Sequence, residues 1–139
     1  MALVESPPLF GNLTPDCHPI ATRSRHYSQD DKRFIRSEIE KLLSEGIIEE
    51  SNSPWRAQVL VTKNENHKKR LVIDYSQTIN LFTTLDAYPL PSIEDIVSQV
   101  AVNTVFSSVD LKSAYHQIPI ISNERKYTAF EASGKLYHF

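Results

Sequence analysis

The chain has 139 residues, 40% of them hydrophobic and 23% charged, with a formal net charge of −2; this suits one soluble globular domain with a core of its own. The near-neutral balance argues against a strongly basic nucleic-acid surface but leaves room for a local basic patch. A single cysteine, Cys17, excludes an intramolecular disulfide, and no apolar run approaches the roughly 20 residues that span a bilayer.

Residues 1–27 are rich in Pro and polar residues and show no period, as in an extended leader or linker. Met1-Ala2-Leu3-Val4-Glu5 carries no basic stretch before an apolar one. No signal peptide is expected, and the expected compartment is intracellular. Ser28 and Asp31 then form a capping pair. Phe34, Ile35, Ile39, Leu42 and Leu43 recur at helical spacing, and Gly46 can close the helix in a left-handed conformation. An extended connector runs from Ile47 to Trp55, whose indole is expected to anchor packing. The acidic residues Glu38, Glu40, Glu45, Glu49 and Glu50 are expected to face solvent.

Two short β-rich runs follow, Val59–Thr62 and Leu71–Tyr75, in a hairpin pattern. Their loop is polar and basic, with Lys68 and Lys69 inside it and Lys63 and Arg70 at its flanks. Such a tip is either a solvated turn or a clamp for a triphosphate, with Arg as a bidentate fork and Lys as a point charge. Tyr88-Pro89-Leu90-Pro91 is a rigid turn. Ser92 with Asp95 caps a second helix, with an apolar stripe at Ile93, Ile96, Val97 and Val100.

The run Val105–Leu111 has the pattern of a buried strand that ends on a carboxylate. It places Phe106, Ser108 and Asp110 on one face. An acid there is costly unless solvated, paired or metal-bound. Asp110 therefore either caps a turn or pairs with Lys112, or offers its carboxylate to Mg²⁺, a cation that prefers oxygen ligands. Tyr115 is either a core ring or a flat floor under a nucleotide sugar. Further strands are expected near 116–121 and 127–132, with a turn at Ser133-Gly134-Lys135 and a returning strand from Leu136. His18, His26, His67 and His138 do not cluster with Cys17 at zinc-site spacing. Three glycines cannot build a Gly-rich phosphate loop.

In order and spacing, these pieces resemble a known family. Glu45-Gly46-Ile47-Ile48-Glu49-Glu50-Ser51-Asn52-Ser53-Pro54-Trp55, Lys69-Arg70-Leu71-Val72-Ile73-Asp74-Tyr75 with Ile79-Asn80, and Tyr88-Pro89-Leu90-Pro91 are similar to the fingers of reverse transcriptases from gypsy-type LTR retrotransposons. Val105 to Ile118, Tyr127-Thr128-Ala129-Phe130 and Leu136-Tyr137-His138-Phe139 resemble the first part of their palm. The resemblance covers about residues 26–139. It implies an α/β (α+β) fold, the fingers and first half of the palm of a right-hand polymerase, with helices packed on a mainly antiparallel sheet. The implied division is a leader over 1–27, then a reverse-transcriptase part over 28–139, with fingers at about 28–88 and partial palm at about 89–139.

By that resemblance Asp110 is the first catalytic aspartate and a ligand of both Mg²⁺ ions, and the main-chain carbonyl of Leu111 also meets metal. Tyr115 is the sugar gate, and Lys63 and Arg70 hold the incoming triphosphate. The implied reaction is RNA-directed DNA synthesis, with an RNA or DNA template-primer and dNTP as partners beside the remainder of the Pol polyprotein. No membrane is implied; the family's setting is cytoplasmic particles, with the nucleus as a further compartment. The family's second metal motif, a Tyr/Phe-x-Asp-Asp hairpin, is expected beyond Phe139, and Asp74, Asp86 and Asp95 do not match it. The chain is thus expected to be a Pol fragment, inactive alone. The alternatives are a non-catalytic nucleic-acid-binding or dominant-negative remnant, or a decayed product that does not fold.

Overall fold

The computed structural model describes residues 6–85 and 87–139. Residues 1–5 of the expected leader, and Asp86, lie outside them. The chain divides into two compact units, one made of residues up to Thr84 with Ile118–Phe139, the other of Leu85–Gln117.

The first unit starts with residues 6–27, which form no regular element but are held in place. Thr14 N–H donates to Phe82 O (2.7 Å) and Thr22 N–H to Arg56 O (2.9 Å). The Glu124 carboxylate, mostly buried, accepts from the backbone N–H of Leu9 (2.8 Å) and Phe10 (3.3 Å). Helix α1 (Gln29–Ser44) then begins where the sequence places it: Ser28 Oγ accepts from Asp31 N–H and donates to the Asp31 carboxylate. At its other end Gly46 adopts φ +67°; Gly46 N–H donates to Leu43 O and Ile47 N–H to Leu42 O. This is the paired closure that a left-handed residue permits.

Five strands follow: β1 (Glu49–Glu50), β2 (Ala57–Lys63), β3 (Lys69–Asp74), β4 (Phe130–Ala132) and β5 (Lys135–His138). The sheet order is β1-β5-β4-β2-β3, antiparallel throughout except for β2 beside β4. The expected α/β fold with a mainly antiparallel sheet is therefore present. The β4–β5 turn is Ser133-Gly134, both at positive φ, the geometry a two-residue hairpin needs. Strand β1 is only two residues long and is tied to β5 by side chains. His138 Nε2 lies 2.9 Å from Glu49 Oε1 and Nδ1 lies 2.7 Å from Ser51 Oγ, while Arg125 (2.7 Å) also reaches Glu49 and Lys135 (2.6 Å) reaches Glu50.

The buried residues form two clusters. In one, Ile35 and Ile39 of α1 pack on Ala57, Val59, Phe130, Ala132 and Tyr137. In the other, Trp55 packs with Ile79, Phe82 and Ala129, and Phe10, Leu13, Cys17 and Ile20 of the N-terminal segment lie against it. The Trp55 ring meets Phe82 and Tyr127 edge-on, each at 5.8 Å, an arrangement that adds to area burial. Trp55 is the packing anchor the sequence suggested.

The second unit contains α2 (Ile93–Val100), started by Ser92 accepting from Asp95 N–H as expected, and a 3-10 turn at Ala114–Gln117. Its apolar stripe is exposed at Ile93, Ile96, Val97 and Val100. The strand expected over Val105–Leu111 is absent. The segment is irregular, and among the described residues no backbone-to-backbone hydrogen bond starts or ends at 104–112. A strand is a pairing, and apolar alternation alone does not supply the partner. Likewise residues 114–117 and 125–128 form 3-10 turns where strands near 116–121 and 127–132 were expected; only Phe130–Ala132 is a strand there.

Lys69 links β3 to α1. Its ammonium bonds the Asp30 and Asp31 carboxylates (2.6 Å to Asp31) and lies 5.9 Å from the Phe34 ring centre. Hydrogen bonds from Lys69 hold both carboxyls below their usual range and raise Lys69 itself. Carboxyls depressed in the folded state add stability above their unfolded pKa of about 4, and that stability disappears as pH falls through the folded values. The urea midpoint is therefore expected to drop between about pH 5 and pH 2, and to drop less in Lys69→Met. These groups remain in contact with solvent, so the difference is a modest one.

Candidate functional site

The five candidate residues fall into two sets. Lys63 and Arg70 stand on the β2–β3 hairpin of the first unit; Asp110, Leu111 and Tyr115 stand on one loop of the second.

The hairpin tip is built by its polar residues. Asn64 Oδ1 accepts from Lys68 N–H (2.7 Å), Asn64 N–H donates to Lys68 O (3.0 Å), and His67 turns the chain at φ +57°. Asn, Asp and His tolerate this left-handed conformation better than most residues. The register pairs Lys63 with Lys69 and Thr62 with Arg70. Directly opposed residues share a face, so Lys63 lies on the α1 side with Lys69, and Arg70 lies on the other side. Lys63 is close enough to Asp31 to help lower its pKa. Arg70 is exposed, and no carboxylate pairs with it among the described residues. The tip thus carries a free guanidinium on one face and an ammonium near an acid on the other. Lys69, grouped with the basic tip by its position in sequence, belongs instead to the brace on α1.

On the second unit, Asp110 and Leu111 lead into the turn Lys112-Ser113, where Ser113 has φ +51°. Gln117 Nε2 closes this turn by donating to Lys112 O (2.8 Å). Asp110 forms no ion pair with Lys112. It is exposed, so solvent meets the cost of its charge. Tyr115 is 89% exposed. Loop and turn thus present a carboxylate, a backbone carbonyl and a flat ring within six residues.

The donor chemistry of Asp110 and the Leu111 carbonyl, hard oxygen in both cases, suits Mg²⁺. Their number does not complete a site. Among the described residues no three His, Cys, Asp or Glu side chains converge where a metal could be held.

A feature absent from the sequence reading lies beside α1. A cleft of about 300 Å³ is lined by Arg25, Tyr27, Lys32, Arg36, Gln58 and Glu131 among others. The signal was the spacing of Lys32 and Arg36, which places two cations on one face of the helix.

No protein-family model matches the chain. It is 35% identical over 132 residues to the retrovirus-related Pol polyprotein from transposon gypsy of Drosophila melanogaster, covering 91% of this chain and 13% of that protein. It is also 35% identical over 130 residues to the Pol polyprotein from transposon 412 of the same organism, covering 89% of this chain and 10% of that protein. Among solved structures, the foamy viral protease-reverse transcriptase in complex with dsDNA superposes with a TM-score of 0.77 at 24% identity, over 97% of this chain and 28% of that one. That likeness establishes the fold, and the chain spans about an eighth of the gypsy polyprotein's length. The chain is homologous to a segment of the retrovirus-related Pol polyproteins of gypsy-type retrotransposons and has the fold of a reverse-transcriptase segment.

Proposed function

We propose that this chain is the fingers and first half of the palm of an RNA-directed DNA polymerase, and that it is inactive without the rest of the Pol polyprotein. The leader would cover 1–27, the fingers about 28–88 and the partial palm about 89–139. The observation that carries this reading is the loop Asp110-Leu111 with Tyr115, exposed and aimed at no partner among the described residues. In this reading Asp110 and the Leu111 carbonyl are oxygen ligands, Tyr115 is the floor beneath the dNTP sugar, and Arg70 and Lys63, on opposite faces of the hairpin tip, each contribute positive charge toward the triphosphate. Bound Mg²⁺ would supply charge stabilisation at the transferring phosphate. The chain's own residues contribute position and electrostatics, the main sources of rate in such a reaction. Strands elsewhere in Pol would pair with Val105–Leu111, whose Val105 (86%) and Val109 (84%) are exposed. The polymerase would work inside the cell, in cytoplasmic particles.

A second reading, a non-catalytic nucleic-acid-binding module, is favoured by the free Arg70 at the tip. The two are tested together by titrating the chain with template-primer at several salt concentrations. Two phosphate contacts correspond to a log–log salt slope of about −1.8. Lys63→Ala with Arg70→Ala is expected to reduce the slope by that amount, with Arg70→Ala alone giving the larger loss of affinity. Binding that the double variant leaves unchanged would exclude the tip as a phosphate contact.

A further inference from the structure

We infer that the cleft between α1 and the β4–β5 turn is a second anion site, one that takes a single nucleic-acid strand by its phosphodiester and one base. The inference rests on the nucleic-acid reading above but uses none of the residues assigned there. It begins with charge. Four charged side chains line the cleft: Arg25, Lys32, Arg36 and Glu131. Two of them are already neutralised. Arg25 pairs with Asp74 at 2.8 Å, and Glu131 lies 3.7 Å from Arg56 while accepting from Ser24 Oγ (2.8 Å) and Gln58 Nε2 (3.1 Å). Lys32 and Arg36 have no carboxylate partner among the described residues. The cleft therefore carries an uncompensated charge of two, from like charges one helical turn apart. Such an i,i+4 pair disfavours its own helix by a few tenths of a kcal/mol, a cost that a bound anion removes.

The rest of the lining is pre-organised. The Tyr27 ring is fixed because its hydroxyl donates to Val59 O at 2.8 Å, and the Arg25 guanidinium is fixed by Asp74. A held aromatic ring and a held guanidinium plane are the surfaces on which unpaired bases stack. Gln58, buried, fixes the Arg25 backbone by accepting its N–H at 3.2 Å. The volume of about 300 Å³ lies at the lower end of the range for ligand sites. It suits one nucleotide and is too small for a duplex.

The test follows backbone amide shifts of Tyr27, Ser133 and Gly134 by NMR as an oligothymidylate of about ten nucleotides is added, with inorganic phosphate and dTTP added separately. The expected result is that the oligonucleotide moves these amides and that K32A/R36A abolishes the shifts, lowering the single-strand salt slope by about 1.4. Alanine favours helix, so α1 remains formed, which far-UV circular dichroism checks. K63A/R70A is expected to leave the cleft shifts intact. If template-primer binds but the cleft amides stay still, the second site is overturned while the proposed function stands. If the cleft responds while K63A/R70A leaves template-primer binding unchanged, the second site stands and the tip assignment fails. If phosphate or dTTP produces the same shifts as the oligonucleotide at equal phosphate concentration, the assignment to a strand is overturned in favour of a free phosphate ligand.

Discussion

Asp110→Ala, made in a Pol chain that contains this segment, is expected to reduce primer extension by about three orders of magnitude or more. The basis is the value of a carboxylate that helps hold a catalytic cation, several kcal/mol of transition-state stabilisation, at about 1.4 kcal/mol per decade. Asp110 is exposed in this chain, so its removal leaves no buried partner among these residues. The loss should appear in kcat with the thermal midpoint unchanged. Steady-state kinetics on a primed RNA template, with a melting curve of the same preparation, separates the two. A variant that keeps more than a tenth of the rate would remove Asp110 from the chemistry.

Trp55→Ala is expected to have the largest effect on the fold. Trp55 is 2% exposed and is bounded by Phe82, Tyr127, Ile79 and Ala129. Truncating a buried Trp costs about 3–5 kcal/mol, against a total stability of order 5–15 kcal/mol for a domain. The N-terminal segment rests on the same cluster through Phe10, Leu13 and Ile20, so the variant should also raise amide exchange over residues 6–22. Urea unfolding followed by near-UV circular dichroism measures the first effect. Leu81→Ala, at a residue 56% exposed, serves as the comparison and should change stability by no more than about 0.5 kcal/mol.

The parts of the fold legible in the sequence are those fixed by local chemistry. Ser28 and Ser92 each accept from the N–H three residues on, and Gly46 takes the left-handed conformation that an L side chain resists. Hydroxyl caps and glycine stops act within one turn of chain, so spacing alone reveals them. Val105–Leu111 failed for the opposite reason. Its alternation reports affinity for a covered, pleated surface, but the partner is a matter of topology. Phe130 and Tyr137 illustrate the same point from the other side, because their short strands exist by pairing with Ala57 and with each other.

The candidate site residues were legible in composition, and their register was not. Lys63 and Arg70 flank one loop, which suggests a joint clamp. Strand β3 begins at Lys69, two residues before the apolar run at Leu71, and that pairing sends Arg70 to the face opposite Lys63. The N-terminal segment carries no period because it forms no helix or strand, yet Tyr27 and Arg25 within it line the cleft beside α1. No periodicity rule identifies a residue that packs from an irregular segment.

Primer extension by the 139-residue chain itself is the most direct test, on a primed RNA template with Mg²⁺ and dNTPs. One carboxylate and one carbonyl do not make a two-metal site, so no extension is expected from a chain that folds and binds template-primer. Measurable extension that Asp110→Ala abolishes would contradict the account, because a complete site would then exist within these residues.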